Sequence, residues 1–324
     1  MSIYRFDTRL HKVYDQMLDA VDQRSTIFRV PMMPISQALE LYKKAVSESK
    51  YGYLYQPCSV KTQSSLFETN IYVELCPEAK DFLKTSGAVE FEIEIIAKAA
   101  SKARSTLDKV RYVHQYFVQN YSYAYEHMGD IKFNSALSAF LYREAVCEGF
   151  ALAYACVLNR MGIPCGIVTG ESDLDGASVN HAWNIVNVGD YFYHCDVTWD
   201  ICTKKQSSCN IFDYCLISDS IARLNHVWSD ESVYPCSDSS QDSYARAGFV
   251  CRNTKECIDC IVAQLRRKSQ CILFRCSSPE FDEIVNSLVL PELLFSASKR
   301  CNISVPAFRY SYNANIGTVT YYLN

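Results

Sequence analysis

Apolar residues recur at helical spacing through the first 48 positions: Val13, Met17, Ala20 and Val21, then Ala38, Leu41 and Ala45. That period predicts a helical start. Between 51 and 76 the pattern changes, and YGYLYQP and LFETNIYVEL concentrate aromatic and β-branched residues, which predicts strands. From about Val89 the helical period returns. It breaks near Ser105, where Ser105 and Asp108 have the spacing of a capping box for a second helix, LDKVRYVHQYFVQNY.

In AVCEGFALAYACVLNRMGIP the apolar positions 147, 150, 151, 154, 155 and 158 trace one face of a helix that opens at Cys147. Gly162 and Pro164 end it. NHAWNIVNV and YFYHCDVTWD flank Gly189-Asp190, as the strands of a two-residue hairpin would. SDESVYPCSDSSQDSYARAG is polar and reads as a linker. Beyond it the pattern predicts a helix over Thr254 to Arg267, a strand CILFRC, a helix near Pro279 to Leu288, and a closing hairpin in AFRYSYNANIGTVTYYL. The expected organisation is an N-terminal helical and β extension (1–100), a core (101–230) and a small C-terminal α/β domain (245–324).

Composition narrows the function classes. Thirty-two Lys and Arg against 36 Asp and Glu give a net charge of −4, which builds no field for nucleic acid or an anionic membrane. No apolar run approaches the roughly 18 residues of a membrane span. The start, MSIYRFDTRLHKVYDQML, has neither the apolar core nor the small-residue cleavage site of a secretory signal, so a cytoplasmic protein is expected. In that compartment the 16 cysteines stay reduced, and Cys156, Cys165, Cys195 and Cys271 stand where small apolar residues would fit.

Cys147, His181 and Asp196 supply a thiol, an imidazole and a carboxylate, the parts of a cysteine nucleophile with its base and orienter. In the first turn of its helix, Cys147 meets unpaired amides and the positive end of the helix dipole, which favour a thiolate and an oxyanion. A buried thiol at a helix start would satisfy the same pattern. Gly149 leaves room for a substrate beside it. Pairing 188 with 191 across the hairpin sets His181 opposite Thr198 and Trp183 opposite Asp196. His181 and Asp196 then become diagonal neighbours on one face, about 7–8 Å apart at the backbone. His194 shares that face but lies opposite Ile185, with no carboxylate across the strand. His114, within an amphipathic helix, and His226 read as buried, hydrogen-bonded histidines.

Other constellations carry less. Glu171, Asp173, Asp175 and Gly176 imitate a calcium loop, but Ala182 stands where a bidentate glutamate is needed. Cys257 and Cys260 form one CxxC, and Cys271 with Cys276 has the wrong spacing for a second zinc-binding pair. No metal and no cofactor are expected.

AVCEGFA, a helix ending in GIP, HAWN and DVTWD together resemble the transglutaminase-like superfamily, and in particular its bacterial members; the likeness runs from about 105 to 228. The resemblance implies a papain/transglutaminase-like α+β core, with a nucleophile helix packed on an antiparallel sheet. It implies Cys147 as nucleophile, His181 as base and Asp196, on the next strand, as orienter. Trp183 and Trp199 would pack around the site. Ile201 replaces a second acidic residue common after DVTWD, and Tyr142 is a candidate side-chain oxyanion donor. The activity implied is acyl transfer on an amide through a thioester. Without a calcium-type cluster, the expectation is hydrolysis of a peptide or protein substrate. The alternatives are transfer to an amine, or a non-catalytic binding protein that retains the fold.

Overall fold

The computed structural model describes residues 2–55, 58–75, 87–174, 177–203, 211–229, 233–276, 289–305 and 307–323. It divides into two compact units. One comprises Met1–Lys204, Tyr214–Asp219 and His226–Asp238, the other Lys205–Asp213, Ser220–Asn225 and Ser239–Asn324. The expected helix near Pro279 to Leu288 lies outside the described residues.

The first unit opens with α1 (Thr8–Asp22), capped by Asp7, and α2 (Ile35–Glu48). Val13, Met17 and Val21 are buried on α1, and Ala38, Leu41 and Ala45 on α2, as their spacing predicts. Between them lies β1 (Ile27–Pro31), where a helical reading of 1–48 allows no strand. It joins β2 (Cys58–Ser64) and β3 (Glu68–Leu75) in an antiparallel sheet of order β1-β3-β2. Within YGYLYQP, the described residues Tyr51–Tyr55 do not form a strand. Gly52–Leu54 form a 3-10 turn, and Tyr53 and Tyr55 bury their rings, so these aromatic residues pack rather than pair.

Helices α3 (Ala88–Ala100) and α4 (Thr106–Asn120) follow, and Ser105 Oγ accepts the Asp108 N–H at 3.1 Å to start the second. Next come β4 (Ser122–Tyr123), α5 (Ala136–Tyr142), β5 (Glu144–Ala145) and α6 (Cys147–Arg160). All ten residues from Gly149 to Leu158 of α6 are buried, so it is enclosed on every side rather than on one face. Arg160 fixes its far end to Glu90 and Glu94 of α3, each at 2.7 Å.

The main sheet has order β10-β6-β7-β8-β9 and is antiparallel throughout. It consists of β6 (Cys165–Leu174), β7 (Ala177–Val188), β8 (Tyr191–Cys195), β9 (Cys215–Ile217) and β10 (His226–Val227). Val188 pairs with Tyr191 around Gly189, as the hairpin reading requires. Asn184 of β7 donates to the Ala151 carbonyl at 2.8 Å and thereby ties the sheet to α6. The fold class is α+β, as expected.

The second unit is built on a mixed sheet, β11-β12-β14-β13, formed by β11 (Val250–Cys251), β12 (Cys271–Cys276), β13 (Phe308–Asn313) and β14 (Thr318–Leu323). It carries helices α8 (Ser243–Ala247), α9 (Thr254–Arg266) and α10 (Val289–Cys301). Part of the stretch read as a linker is folded. Asp242 caps α8 and takes both guanidinium nitrogens of Arg275 at 3.0 and 3.1 Å, with Tyr244 buried beside it. Ser and Asp serve there as caps, which composition alone does not separate from a loop.

Gly149 has a packing reason different from the room for substrate read from sequence. A Cβ at this position would lie 2.8 Å from the Ser135 carbonyl oxygen and 2.9 Å from that of Phe133. Gly149→Ala is therefore expected to destabilise the protein by about 1–3 kcal/mol, as overpacking against backbone does. Urea denaturation followed by tryptophan fluorescence measures it.

Candidate active site

Cys147 is the first residue of α6, and Val146 before it provides no side-chain cap. The first-turn N–H groups of α6 lie beside the thiol. His181 lies on β7, 8 % exposed, and its imidazole hydrogen-bonds the Cys147 side chain. Its Nε2 is 2.6 Å from Asp196 Oδ2, so Nδ1 is the nitrogen left for the thiol. The fold brings the three residues together in the order thiol, imidazole, carboxylate.

The position of Asp196 corrects the register reading. The β7–β8 ladder ends at Asn184 and Cys195, one pair short of Trp183 and Asp196. Asp196 has left the sheet and caps α7 (Val197–Cys202), accepting the Trp199 N–H on Oδ1 at 3.0 Å. Its own N–H donates to the Tyr214 carbonyl at 2.8 Å. A carboxylate is an effective helix cap, and this local preference overrides continuation of the strand.

A further histidine reaches the same oxygen. His226 Nε2 lies 3.0 Å from Asp196 Oδ2, so two buried imidazoles converge on one carboxylate oxygen. Read from sequence as a buried, hydrogen-bonded residue, His226 is that, and it is also part of the site. No local pattern could have found it, because β10 joins β6 from more than 50 residues away. Gly170 permits the approach: a Cβ there would stand 2.1 Å from the Val227 carbonyl oxygen of β10.

Burial opposes charge at both ends of the chain of bonds, and partner charges win. Burial pushes His181 down, but the Asp196 charge and hydrogen bond and the Cys147 bond raise it to about 10. Burial pushes Asp196 up, yet His181 and His226 hold it well below the usual carboxylate range.

His194 is not available as the base. Its Nδ1 accepts the Trp183 indole N–H at 3.0 Å, and its Nε2 is 2.8 Å from Asp219. It does have a carboxylate, supplied by Asp219 rather than from across the strand, and burial lowers it. His114 pairs with Asp200 at 2.8 Å. Trp183 lies nearly parallel to the His181 ring at 5.8 Å between centroids, and Trp199 stands edge-on at 6.3 Å. Both pack around the site. Ile201 is buried within α7. Tyr142 ends α5 half exposed, with the Lys132 ammonium 4.2 Å from its ring centre. Tyr123 of β4 is the tyrosine that feels the Cys147 charge: burial first, then Cys147, raise its hydroxyl.

Glu171 and Asp173 lie on strand β6, and Glu171 accepts from Ser178 at 2.6 Å; Asp175 and Gly176 lie outside the described residues. Cys257 and Cys260 both hydrogen-bond Cys251, and Cys257 also meets Cys276. No three of these four sulfurs lie within 4.8 Å of one another.

Part of the chain is similar to known proteins. Residues 93–197 match the model of the transglutaminase-like superfamily core, and over that third of its length the chain is similar to that superfamily. No curated protein matches the chain. Among solved structures, a TGase is 18% identical, with a TM-score of 0.31 over 53% of this chain and 50% of its own. The chain therefore spans half the length of that protein. A candidate cysteine protease from Cytophaga hutchinsonii is 15% identical, with a TM-score of 0.30 over 44% of this chain and 62% of its own. The periplasmic domain of TgpA from Pseudomonas aeruginosa is 15% identical, with a TM-score of 0.30 over 46% and 70%. Among the described residues, no helix is long and apolar enough to cross a membrane.

Asp196→Ala removes the acceptor of two buried histidines and the cap of α7 together. It is expected to cost roughly 3–5 kcal/mol, the range for breaking a buried ion pair from one side. Asp196→Asn, which still accepts at the cap, is expected to cost less; denaturant titration of both variants gives the order.

Proposed function

We propose that the protein is a cysteine-dependent amide hydrolase acting on a peptide or protein substrate, with Cys147 as nucleophile, His181 as acid and base, and Asp196 as orienter. The hydrogen-bonded chain Cys147–His181–Asp196 carries this reading. Sγ attacks the amide carbonyl carbon, a C–S bond forms, and the carbonyl oxygen takes the negative charge. The N–H groups of the first turn of α6 stabilise that charge. As the C–N bond breaks, His181 gives its proton to the leaving amine, and a thioester remains on Cys147. His181 then takes a proton from water, the resulting hydroxide attacks the thioester, and a carboxylic acid leaves with Cys147 restored. Asp196 keeps the imidazole oriented through both steps and stays ionised.

Iodoacetamide at near-neutral pH is expected to alkylate Cys147 ahead of the other cysteines, and His181→Ala to abolish that preference. Peptide mapping by mass spectrometry reads the site. A Cys147 no more reactive than the exposed Cys202 would remove the proposal and favour a non-catalytic binding protein. An acyl group trapped on Cys147 identifies the substrate, and releasing it into water or into an added amine distinguishes hydrolysis from amine transfer.

The pH dependence follows from His181, which faces Asp196, Cys147 and His226. Its value is raised from 6.5 to about 10, so the imidazolium's contribution to stability is complete below 6.5 and is lost as pH rises through about 10. The same proton protonates the leaving amine. Acylation of Cys147 is expected to fall on the alkaline side near pH 10, and single-turnover rates across pH measure that limb.

A further inference from the structure

Beneath the Asp196 end of the site lie two thiols and an imidazole that the proposed chemistry does not use. Cys195 is the last residue of β8, Cys215 the first of β9, and the two face each other across the ladder at a register shift. His114 reaches them from α4. All three are essentially inaccessible to solvent, and their donor atoms lie within 4.8 Å of one another.

We propose that His114, Cys195 and Cys215 bind a thiophilic divalent cation of the Zn2+ class. Any triangle whose longest edge is 4.8 Å has a point within about 2.8 Å of every corner, close to the zinc distances of about 2.3 Å to sulfur and 2.0–2.1 Å to imidazole nitrogen. Small side-chain shifts would close the difference. His114 Nε2 is held 2.8 Å from Asp200 Oδ2, which turns Nδ1 towards the sulfurs. Asp200 is fixed in turn by the Tyr214 N–H at 3.0 Å. A carboxylate behind a ligating imidazole is the usual arrangement that sets ring orientation at a metal. The buried Tyr154 hydroxyl donates to the Val110 carbonyl at 3.3 Å.

A dication neutralises two thiolates in an enclosure that otherwise excludes charge. The comparable group His194, Asp219 and Cys236 fits less well, because both nitrogens of His194 are engaged by Trp183 and Asp219. The proposed ion would join the end of β8, one residue before Asp196, to the start of β9, one residue after the Tyr214 carbonyl that receives the Asp196 N–H. It would act as a clamp below the orienting carboxylate, not as a participant in acyl transfer.

The test uses the full chain carrying Cys257→Ser and Cys260→Ser, which removes the CxxC thiols of the second unit. After refolding with excess Zn2+ and gel filtration, mass spectrometry of the metal is expected to find one zinc per chain. Adding Cys195→Ser and Cys215→Ser should lower this at least tenfold. Should that variant fail to fold, Co2+ in place of Zn2+ in the parent decides. Intense thiolate-to-cobalt charge-transfer bands with visible tetrahedral bands are expected; weak octahedral bands alone, or none, overturn the proposal. It is equally overturned by zinc below about 0.1 per chain in the parent, by zinc retained when both thiols are replaced, or by a Cys195–Cys215 disulfide in the purified protein.

Discussion

One carboxylate oxygen, Asp196 Oδ2, holds two buried imidazoles, at 2.6 Å from His181 and 3.0 Å from His226. Isolated in an apolar interior, a carboxylate would be neutral. Here it stays charged because each of its contacts donates to it, and each donor belongs to a different element. His181 comes from β7, His226 from the edge strand β10, and the Trp199 amide from the helix that Asp196 caps. The aromatic rings of Trp183, Trp199 and Tyr214 fill the space around them and exclude water. The position of the His181 imidazole relative to the Cys147 thiol is thus decided by where one aspartate leaves the sheet.

The Cys147 thiol is held by a different kind of constraint. Helix α6 is enclosed by protein along most of its length and has no freedom to slide. Gly149 seats its first turn against the Phe133 and Ser135 carbonyls, Asn184 fastens its middle to β7, and Arg160 fastens its end to α3. Packing fixes the thiol, and hydrogen bonding fixes the imidazole. A thiol–imidazole pair built from two such independent supports is preorganised without relying on a loop.

Local chemistry was the legible part of the sequence. The start of α6 at Cys147, its stop at Gly162, the cap at Ser105 and the hairpin register at Gly189 all depend on residues within a few positions of one another. The pairing of His181 with Asp196 was also legible, though by a route that needs amendment: the two meet because Asp196 turns out of the strand as a cap, not because the ladder extends to it. Contacts between distant segments left no local trace. His226 and Asp219 join residues of the site or its rim from separate stretches of chain. Cys195, Cys215 and His114 each carry a local pattern of their own, as strand or helix positions, that hides their common centre. The N-terminal strand β1 was hidden for a related reason, since five residues between two strong helical patterns are too few to show a period of their own.

Gly170 ties these observations together at the level of descent. Its missing side chain is what lets the β10 backbone lie against β6 and bring His226 to Asp196. The two positions are more than fifty residues apart and never touch through side chains, yet neither is of use without the other. In a lineage that gives up the second imidazole, the glycine is released and free to drift; in one that keeps it, any larger residue at this position is purged. Joint retention or joint loss across relatives is the mark such a backbone doorway leaves in a family's history.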